Sequence, residues 1–461
     1  MSIERVDAYL NEHRDAFESQ LKALLRIPSV SAQPDHDADT RKAALFVRDD
    51  LIASGFGSAE LIETEGHPLV YAEWLNAPGK PTVLIYGHYD VQPAEPLELW
   101  RTPPFEPTRV GDNLYARGAA DDKGLALILI KAAERFLRAG QPLPINVRFL
   151  FEGEEESGGD HVSAYVHAHA HALACDAALI CDTEMFAPEL PTICVGLRGI
   201  LYAELHVRTG ATDLHSGVYG GAVPNAIESA ARIVSKLKDD RGSIAIPGFY
   251  DDVAPPAPEE LRSWAALPFD EEAYRREEAR VEALTGEPGF TAIERTWSRP
   301  ALEIHGMRGG FTGEGAKTVI PCEALVKLSC RLAPGQDPNR AGKLLSDAIA
   351  AAAPPGAETT LRILHTAKAS IVDPHNPYVR EAAAAMRDVF GAETVFTRSG
   401  GSIPIVGLFA DVLGVPSVMP GFGLPDDNLH APNEKVYLPN VYRGIEAIVR
   451  YWTRLGSVSI E

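Results

Sequence analysis

A histidine and an aspartate follow one of the most apolar segments of the chain. Residues 81–90 read PTVLIYGHYD, so His88 and Asp90 come at the end of a predicted central strand. In open α/β sheets, ligands bind beyond the carboxyl ends of such strands. The alternation of side chains along a strand places His88 and Asp90 on the same side of the backbone. Because a carboxylate often orients a metal-binding imidazole, the pair suits a metal ligand and its supporting group.

Four further segments place carboxylate or imidazole side chains in similar positions. They read GAADDKG, FEGEEESGG, AALICD and GFGLPDDNLHAPNEK, and they lie beyond predicted strands or in adjoining loops. Together with the first segment they supply the candidate ligands His88, Asp121, Glu156, Asp182 and His430. Imidazole nitrogen and carboxylate oxygen, without cysteine, are typical donors for zinc or manganese.

Each segment also has an ordinary structural interpretation. An aspartate of the DDK motif could cap the helix that follows, the glutamates 154–156 could be a solvated charge run, and Asp182 could end a turn. His430 could be a solvated loop residue. Because the five donors occur at comparable places, we favour a site for two metal ions with one bridging carboxylate. Such a site also needs a base, which a glutamate next to Glu156 would supply.

Composition limits the class of protein and its partners. The chain of 461 residues is long enough for roughly two to three domains. Its 45% hydrophobic and 23% charged residues are those of a soluble globular protein. A formal charge of −21 disfavours nucleic acid as a partner, since phosphate binding requires a basic surface. No apolar run is long enough to span a membrane.

Two features indicate a cytoplasmic protein. The first residues, MSIERVDAYLNEHRDAF, lack the apolar core of a secretion signal. The five cysteines are scattered and form no Cys-x-x-Cys pair, so we expect free thiols in a reducing compartment.

The order of predicted elements divides the chain into three segments. Helices and strands alternate in residues 1–196 and 372–461, which predicts an α/β domain with a mixed, mostly parallel sheet and helices on both faces. Residues 197–371 contain longer alternating strands and two helices, typical of an inserted α+β, ferredoxin-like domain. The main predicted strands of the first segment are 69–75, 82–87, 145–151 and 177–181, and its main predicted helices are 5–26, 42–54 and 123–137.

The motifs occur in the same order in one known family. HYD, ARGAADDKG, EEESGG and a late loop histidine followed by NEK resemble the di-zinc metallopeptidase family of aminoacylase, carboxypeptidase G2 and carnosinase. DLHSGVYGG, GAKTVIP, CRL and GGSIP are most similar to its cytosolic non-specific dipeptidase and carnosinase branch. The similarity covers almost the whole chain. It implies a zinc-exopeptidase-like fold with an inserted lid and dimerisation domain.

The resemblance assigns a role to each candidate ligand. It implies that His88 and Asp182 bind one metal ion and that Glu156 and His430 bind the other. Asp121 would bridge the two ions. The family pattern also implies a cis peptide bond immediately after this bridging aspartate.

The resemblance also assigns supporting roles. Glu155 matches the general base of the family, and Asp90 matches the carboxylate that orients His88. His215, in DLHSGVYGG, matches a histidine that reaches the partner subunit's active site and stabilises the tetrahedral oxyanion. Glu154 receives no role, and we expect it to be solvated.

Substrate contacts are implied in the second half of the chain. In EALVKLSCRL, the period of two places Arg331 on the face opposite the apolar side chains. The resemblance implies that Arg331 binds the C-terminal carboxylate of the substrate. Further implied substrate contacts are Thr318, Ser402, Gly400 and Gly401.

These assignments predict a metal-dependent dipeptidase with two Zn²⁺ or Mn²⁺ ions per subunit, active on dipeptides or short peptides as a homodimer formed through the lid. An amino-acid deacylase or carboxypeptidase of the same family is the main alternative. A catalytically inactive relative that serves as a binding or scaffold protein is a third hypothesis, although all ligand and base positions carry competent residues. A two-metal phosphoesterase is disfavoured because no basic residue accompanies the ligands.

Overall fold

The computed structural model describes residues 3–458, which form two compact units. The first unit runs to Val195, resumes at Val372–Thr397 and continues from Leu408. The second unit comprises Gly196–Ile371 and Arg398–Gly407.

Helices and strands alternate along much of the chain. The helices are α1 (Ile3–Leu25), α2 (Asp37–Ser54), α3 (Lys123–Arg138), α4 (Asp160–His169), α5 (Ser216–Tyr219), α6 (Ala226–Ser235), α7 (Pro258–Ala265), α8 (Glu271–Ala273), α9 (Ala292–Ser298), α10 (Pro338–Ala352), α11 (Pro377–Phe390), α12 (Pro404–Leu408) and α13 (Leu438–Ser457). The strands are β1 (Ala59–Ile62), β2 (Leu69–Trp74), β3 (Thr82–His88), β4 (Thr108–Val110), β5 (Asn113–Tyr115), β6 (Asn146–Glu152), β7 (Ala177–Ile180), β8 (Thr192–Leu197), β9 (Gly199–Arg208), β10 (Leu214–His215), β11 (Ala301–Gly309), β12 (Val319–Ile320), β13 (Glu323–Leu332), β14 (Glu358–Ala367), β15 (Ser370–Ile371), β16 (Val395–Ser399), β17 (Ser417–Gly421) and β18 (Lys435–Tyr437).

A mixed sheet forms the core of the first unit, with the strand order β1-β2-β6-β3-β7-β17-β8. The four central strands, β6, β3, β7 and β17, are parallel, and the strands on either side of them are antiparallel. The central strands consist almost entirely of buried residues, which is typical of parallel strands inside an α/β domain. The predicted mixed α/β sheet is confirmed.

The carboxyl ends of the parallel strands lie at one edge of this sheet. His88 is the last residue of β3 and pairs in register with Glu152, the last residue of β6. Asp182 follows the end of β7, and the loop after β17 contains His430. Parallel pairing therefore gathers side chains that are far apart in the sequence.

A buried ion-pair network joins helices α1, α2 and α3. Lys131 of α3 is completely buried, and its Nζ lies 2.6 Å from Asp50 Oδ1 and 2.7 Å from Glu134 Oε2. Glu134 also accepts hydrogen bonds from the hydroxyls of Ser54 and Tyr9. A buried charge is tolerated only when it is paired and hydrogen-bonded, so the network fixes the three helices in one arrangement.

The second unit contains a four-stranded antiparallel sheet with the order β11-β13-β9-β14, and helices α6 and α10 pack against it. With the short helices and the two-residue strands set aside, the chain order is β9-α6-β11-β13-α10-β14, the ferredoxin-like arrangement that the sequence predicts. Alternate strand residues such as Leu201, Leu205, Val326 and Leu328 form its core.

Residues 398–407 belong to the second unit, whereas the sequence pattern predicts that they belong with the segment 372–461. Arg398 forms an ion pair with Glu260, whose Oε1 lies 2.7 Å from Arg398 Nη2. Ser402 accepts a hydrogen bond from Arg331. Both contacts join residues that are distant in the sequence, so no local pattern could reveal them.

The five cysteines are free thiols, as predicted. Cys181, Cys194 and Cys330 are buried, and burial raises the pKa of the Cys330 thiol to about 12. A buried thiol of this kind is unreactive near neutral pH. Within residues 3–458, none of the helices combines the length and apolarity needed to cross a membrane.

Replacing Lys131 with methionine should destabilise the first unit by about 3–5 kcal/mol, because Asp50 and Glu134 would become buried charges without a counter-ion. Urea denaturation of the purified protein measures the change in the free energy of unfolding. The control is Arg41→Met, which breaks an exposed ion pair with Glu63 and should cost far less because water screens that pair. Equal losses in the two variants would contradict the role given to Lys131.

Candidate metal centre

Two groups of potential metal ligands meet at Asp121. One group consists of His88, Asp121 and Asp182, and the other consists of Asp121, Glu156 and His430. Within each group the three donor atoms lie within 4.8 Å of one another. The structure thus brings together the five residues selected from the sequence, in the two sets that the family resemblance implies. Metal binding by these residues stays a prediction.

The carboxylate of Asp121 faces both histidines. Its Oδ1 lies 3.1 Å from His88 Nε2, and its Oδ2 lies 2.8 Å from His430 Nε2. Glu156 Oε2 lies 3.3 Å from the same nitrogen of His430. The peptide bond between Asp121 and Asp122 is cis. A carboxylate that directs one oxygen to each histidine has the geometry of a bridging ligand.

The surroundings of His88 favour a cation. Its Nδ1 lies 3.2 Å from Asp90 Oδ1, while its Nε2 lies 3.1 Å from Asp121 Oδ1. A neutral imidazole has a single N–H and can donate to only one of these carboxylates. If Nδ1–H donates to Asp90, Nε2 presents a lone pair, as it does in metal-bound histidines.

The carboxylates around Asp121 are crowded. Burial and the neighbouring charge of Asp121 raise the pKa of Asp182 to about 7. Burial also raises the pKa of Glu155 well above its usual value, and the charges of Asp182 and Glu156 add to this effect. Several carboxylates in a site of low dielectric constant are stable as anions only beside cations. The donor set of imidazoles and carboxylates therefore fits Zn²⁺ or Mn²⁺.

Asp90 supports two of the candidate ligands at once. It is completely buried, and in addition to facing His88 it accepts a hydrogen bond from the Ser31 hydroxyl at 2.6 Å. The same oxygen, Oδ2, accepts the backbone N–H of Glu156 at 3.1 Å. Asp90 therefore orients the ring of His88 and fixes the backbone of Glu156.

Asp122 does not cap the helix with its side chain. It occupies the N-cap position of α3 but makes no side-chain capping hydrogen bond. Its Oδ2 accepts the backbone N–H of His88 at 3.2 Å instead. A Cβ atom at Gly87 would lie 2.9 Å from this oxygen, so the glycine permits the close approach. The helix-cap interpretation is therefore wrong for the Asp122 side chain.

The three successive glutamates have different environments. Glu155 and Glu156 begin a short 3-10 helix, and Glu155 belongs to neither ligand group. Glu154 is not solvated as expected, because its carboxylate accepts the backbone N–H of His67 at 3.2 Å and lies 2.6 Å from His161 Nδ1. Glu154 therefore anchors the turn that presents the other two.

Arg331, Ser402 and Gly400 lie together in the second unit. Arg331 Nη1 donates to the Ser402 hydroxyl at 2.9 Å, and this hydroxyl donates to the carbonyl of Arg198 at 2.5 Å. The guanidinium of Arg198 donates to the Gly400 carbonyl at 3.0 Å. The exposed Gly401 lies between Gly400 and Ser402. Because Ser402 is neutral, this contact leaves the charge of Arg331 uncompensated.

His215 and Thr318 are also neighbours in the second unit. His215 pairs with Val319 between β10 and β12, and the backbone N–H of Ser216 donates to the Thr318 carbonyl at 3.1 Å. His215 is exposed, and its Nδ1 accepts the backbone N–H of Gly217 at 3.0 Å. This hydrogen bond places the proton of the neutral ring on Nε2, where it can serve as a donor.

Sequence reasoning missed several supporting residues. The amide of Gln92 donates to Glu156 Oε2 at 2.8 Å, and Glu434 is a buried carboxylate paired with Arg117 at 2.7 Å. Glu434 belongs to the NEK motif, which the sequence shows. Its hydrogen-bond partners cannot be predicted from the motif, because they lie more than 300 positions earlier in the chain.

The sequence profile of Peptidase family M20/M25/M40 matches residues 84–454. This chain belongs to that family. The matched range includes all five candidate ligands and both ligand groups around Asp121. The predicted family and the prediction of an enzyme that acts on peptide bonds are confirmed.

Three relatives are similar to this chain over nearly their whole length. The Cys-Gly metallodipeptidase dug1 of Schizosaccharomyces pombe is 30% identical over 480 residues, which cover 100% of this chain and 99% of the relative. The structure of human carnosine dipeptidase 1 has a TM-score of 0.87 at 30% identity and covers 99% of each chain. The metallo-carboxypeptidase Sso-CP2 of Sulfolobus solfataricus has a TM-score of 0.88 at 31% identity and covers 96% of this chain and 99% of its own.

Proposed function

We propose that this protein is a metal-dependent dipeptidase. The observation that carries the proposal is the carboxylate of Asp121, which directs one oxygen to His88 and the other to His430 in a member of the M20/M25/M40 family. The S. pombe relative and the human structure are dipeptidases by name, and each matches this chain almost from end to end.

Five residues would hold two divalent cations, Zn²⁺ or Mn²⁺. His88 and Asp182 would hold one ion, Glu156 and His430 the other, and Asp121 both. When bound, such a pair of ions polarises the scissile carbonyl and lowers the pKa of a bound water. The mixture of imidazole and carboxylate donors without a thiol supports these two metals.

Glu155 is the proposed general base. It directly precedes Glu156 yet lies outside both ligand groups, so its carboxylate is available to accept a proton from the attacking water. The protonated Glu155 then donates this proton to the leaving amine, which restores the carboxylate. Asp90 keeps His88 in the tautomer that leaves Nε2 free of a proton.

Arg331 is proposed to bind the C-terminal carboxylate of the dipeptide. A planar guanidinium matches a carboxylate with two parallel hydrogen bonds. The hydroxyl of Ser402 holds the guanidinium at 2.9 Å. Polar groups of Gly400, Gly401 and Thr318 would complete the contacts with the substrate.

We further infer a homodimer formed through the second unit, in which His215 of one subunit stabilises the oxyanion in the active site of the other. The exposed ring with its donor at Nε2 supports this role. Val218 and Tyr219, on the helix that His215 caps, are 69% and 44% exposed, and apolar side chains of this kind suit a protein interface. The free cysteines support a cytoplasmic location.

A carboxypeptidase is the second candidate. The similarity to Sso-CP2, a metallo-carboxypeptidase by name, is as high as the similarity to the dipeptidases. A cationic group for a C-terminal carboxylate serves both activities, so Arg331 does not separate them.

A substrate panel separates these activities. Metal-stripped protein is reconstituted with Zn²⁺ or with Mn²⁺ and given a dipeptide, a tetrapeptide and an N-acetyl amino acid, and amino-acid release is quantified. We expect the dipeptide to have the highest kcat/KM with at least one ion. Equal release from the tetrapeptide would identify a carboxypeptidase, and preference for the acetyl substrate a deacylase. No release with either ion would contradict an enzymatic function.

Glu155→Gln should bind both metal ions but lower kcat by about 10²- to 10⁴-fold, because the amide cannot accept the proton of the attacking water. Metal content and dipeptide turnover are measured on the same sample. Glu154→Gln, one position earlier, is the matched control and should lose much less activity, because a glutamine oxygen can still accept the backbone N–H of His67 that anchors the turn. Substantial turnover by Glu155→Gln would refute its role as the base.

Arg331→Met should raise KM for a dipeptide and lower kcat/KM by about 10- to 100-fold, because a charge-assisted pair with the substrate carboxylate is lost. The same dipeptide with an amidated C-terminus should be a poor substrate for the wild type and should be little affected by the substitution. Lys327→Met is the control, since Lys327 is exposed on the same strand. A similar loss for acid and amide would contradict carboxylate binding by Arg331.

A further inference from the structure

Glu434 is a completely buried carboxylate close to the candidate metal centre, and the proposed mechanism does not use it. It lies at the end of the loop that carries His430, immediately before β18. Burial raises the pKa of Glu434 to about 7, although the charge of Arg117 and backbone hydrogen bonds lower it. The hydrogen-bond donors around the Glu434 carboxylate therefore indicate which segments this side chain holds in place.

Both oxygens of Glu434 accept hydrogen bonds from one loop. Oε2 accepts from Arg117 Nη1 at 2.7 Å and from the backbone N–H of Gly118 at 2.9 Å. Oε1 accepts from the backbone N–H groups of Ala120 at 2.9 Å and Asp121 at 3.1 Å. Four donors thus surround one carboxylate, and the last of them belongs to the residue shared by the two ligand groups.

The loop that carries His430 is partly exposed and contains unfavourable backbone conformations. His430 has 55% of its side chain exposed, whereas the side chain of His88 is completely buried. Asn428, His430 and Asn433 have positive φ angles of 57°, 57° and 67°. Left-handed conformations in residues other than glycine are unfavourable and persist only where the surroundings enforce them.

Two adjacent residues, Asn433 and Glu434, tie the C-terminal end of this loop to other segments. The side chain of Asn433 accepts the backbone N–H of Arg101 at 2.8 Å and donates to the Leu99 carbonyl at 2.9 Å. The adjacent Glu434 makes the four hydrogen bonds to the loop that contains Asp121. The position of His430 relative to Asp121 therefore depends in part on an anchor that touches neither of their side chains.

We propose that Glu434 is a positioning residue that sets the distance between Asp121 and His430, and thereby prepares the ligand group of Asp121, Glu156 and His430 for its cation. The inference rests on the proposed two-metal function. His88 has its own support from Asp90, so the ion at His88 depends less on Glu434 than the ion at His430 does.

The test measures zinc binding to metal-stripped protein by competition with a chelator of known affinity. We expect Glu434→Gln to weaken one of two binding events by about 10- to 100-fold, the usual effect of removing a group that supports a ligand. The other event should weaken much less, because it shares Asp121 with the first but has separate support from Asp90 at His88. Glu434→Asp keeps the charge but is too short to reach all four donors, so it should show the same selective loss.

Asp50→Asn is the matched control, since it also removes a buried carboxylate from an ion pair, with Lys131 instead of Arg117. It should lower the melting temperature and leave both zinc affinities unchanged. Unchanged zinc affinities in folded Glu434→Gln, or equal weakening of both events in the control, would overturn the inference.

Two further outcomes are also decisive. If neither Glu434 variant folds, Glu434 maintains the fold rather than the ligand group, and the inference fails. If the wild-type protein binds fewer than two zinc ions, the proposed two-metal function fails and this inference falls with it. Two zinc ions in the wild type with unchanged affinities in Glu434→Gln would refute the inference alone.

Discussion

Negative charge concentrated at the carboxyl ends of β3, β6 and β7 is the constraint on which the first unit depends. Asp121, Glu155, Glu156 and Asp182 lie there in a largely buried region, where the repulsion between carboxylates is much stronger than in water. Two histidines facing Asp121 offset part of this repulsion. Divalent cations would offset the rest, so the arrangement that is unfavourable for an apoprotein is the one that a two-metal enzyme requires.

The fold supplies the means of holding these charges together. Parallel pairing of the central strands brings their ends to one edge of the sheet, so each strand needs to contribute only one short loop. Buried acceptors then fix the loops in place. Asp90 holds His88 and the backbone of Glu156, and Glu434 holds the backbone of Asp121. The candidate ligands are therefore fixed by hydrogen bonds to these buried carboxylates.

The sequence predicts those features that depend on local pattern. Three elements have bounds within a few residues of those predicted: the apolar strand that ends at His88, the strand 145–151 and the helix after the DDK motif. The candidate ligands were recognisable because each follows a strand or lies in a family motif. Three features could not be predicted, because each depends on contacts between distant parts of the chain. They are the role of Glu154, the unit to which residues 398–407 belong and the four donors of Glu434.

The central claim is that Asp121 is shared between two metal ions, and anomalous diffraction from crystals grown with zinc tests it most directly. We predict two anomalous peaks on opposite sides of the Asp121 carboxylate, about 3.5–4 Å apart. One peak should lie next to His88 Nε2 and the other next to His430 Nε2. A single peak, or two peaks of which only one contacts Asp121, would contradict the account.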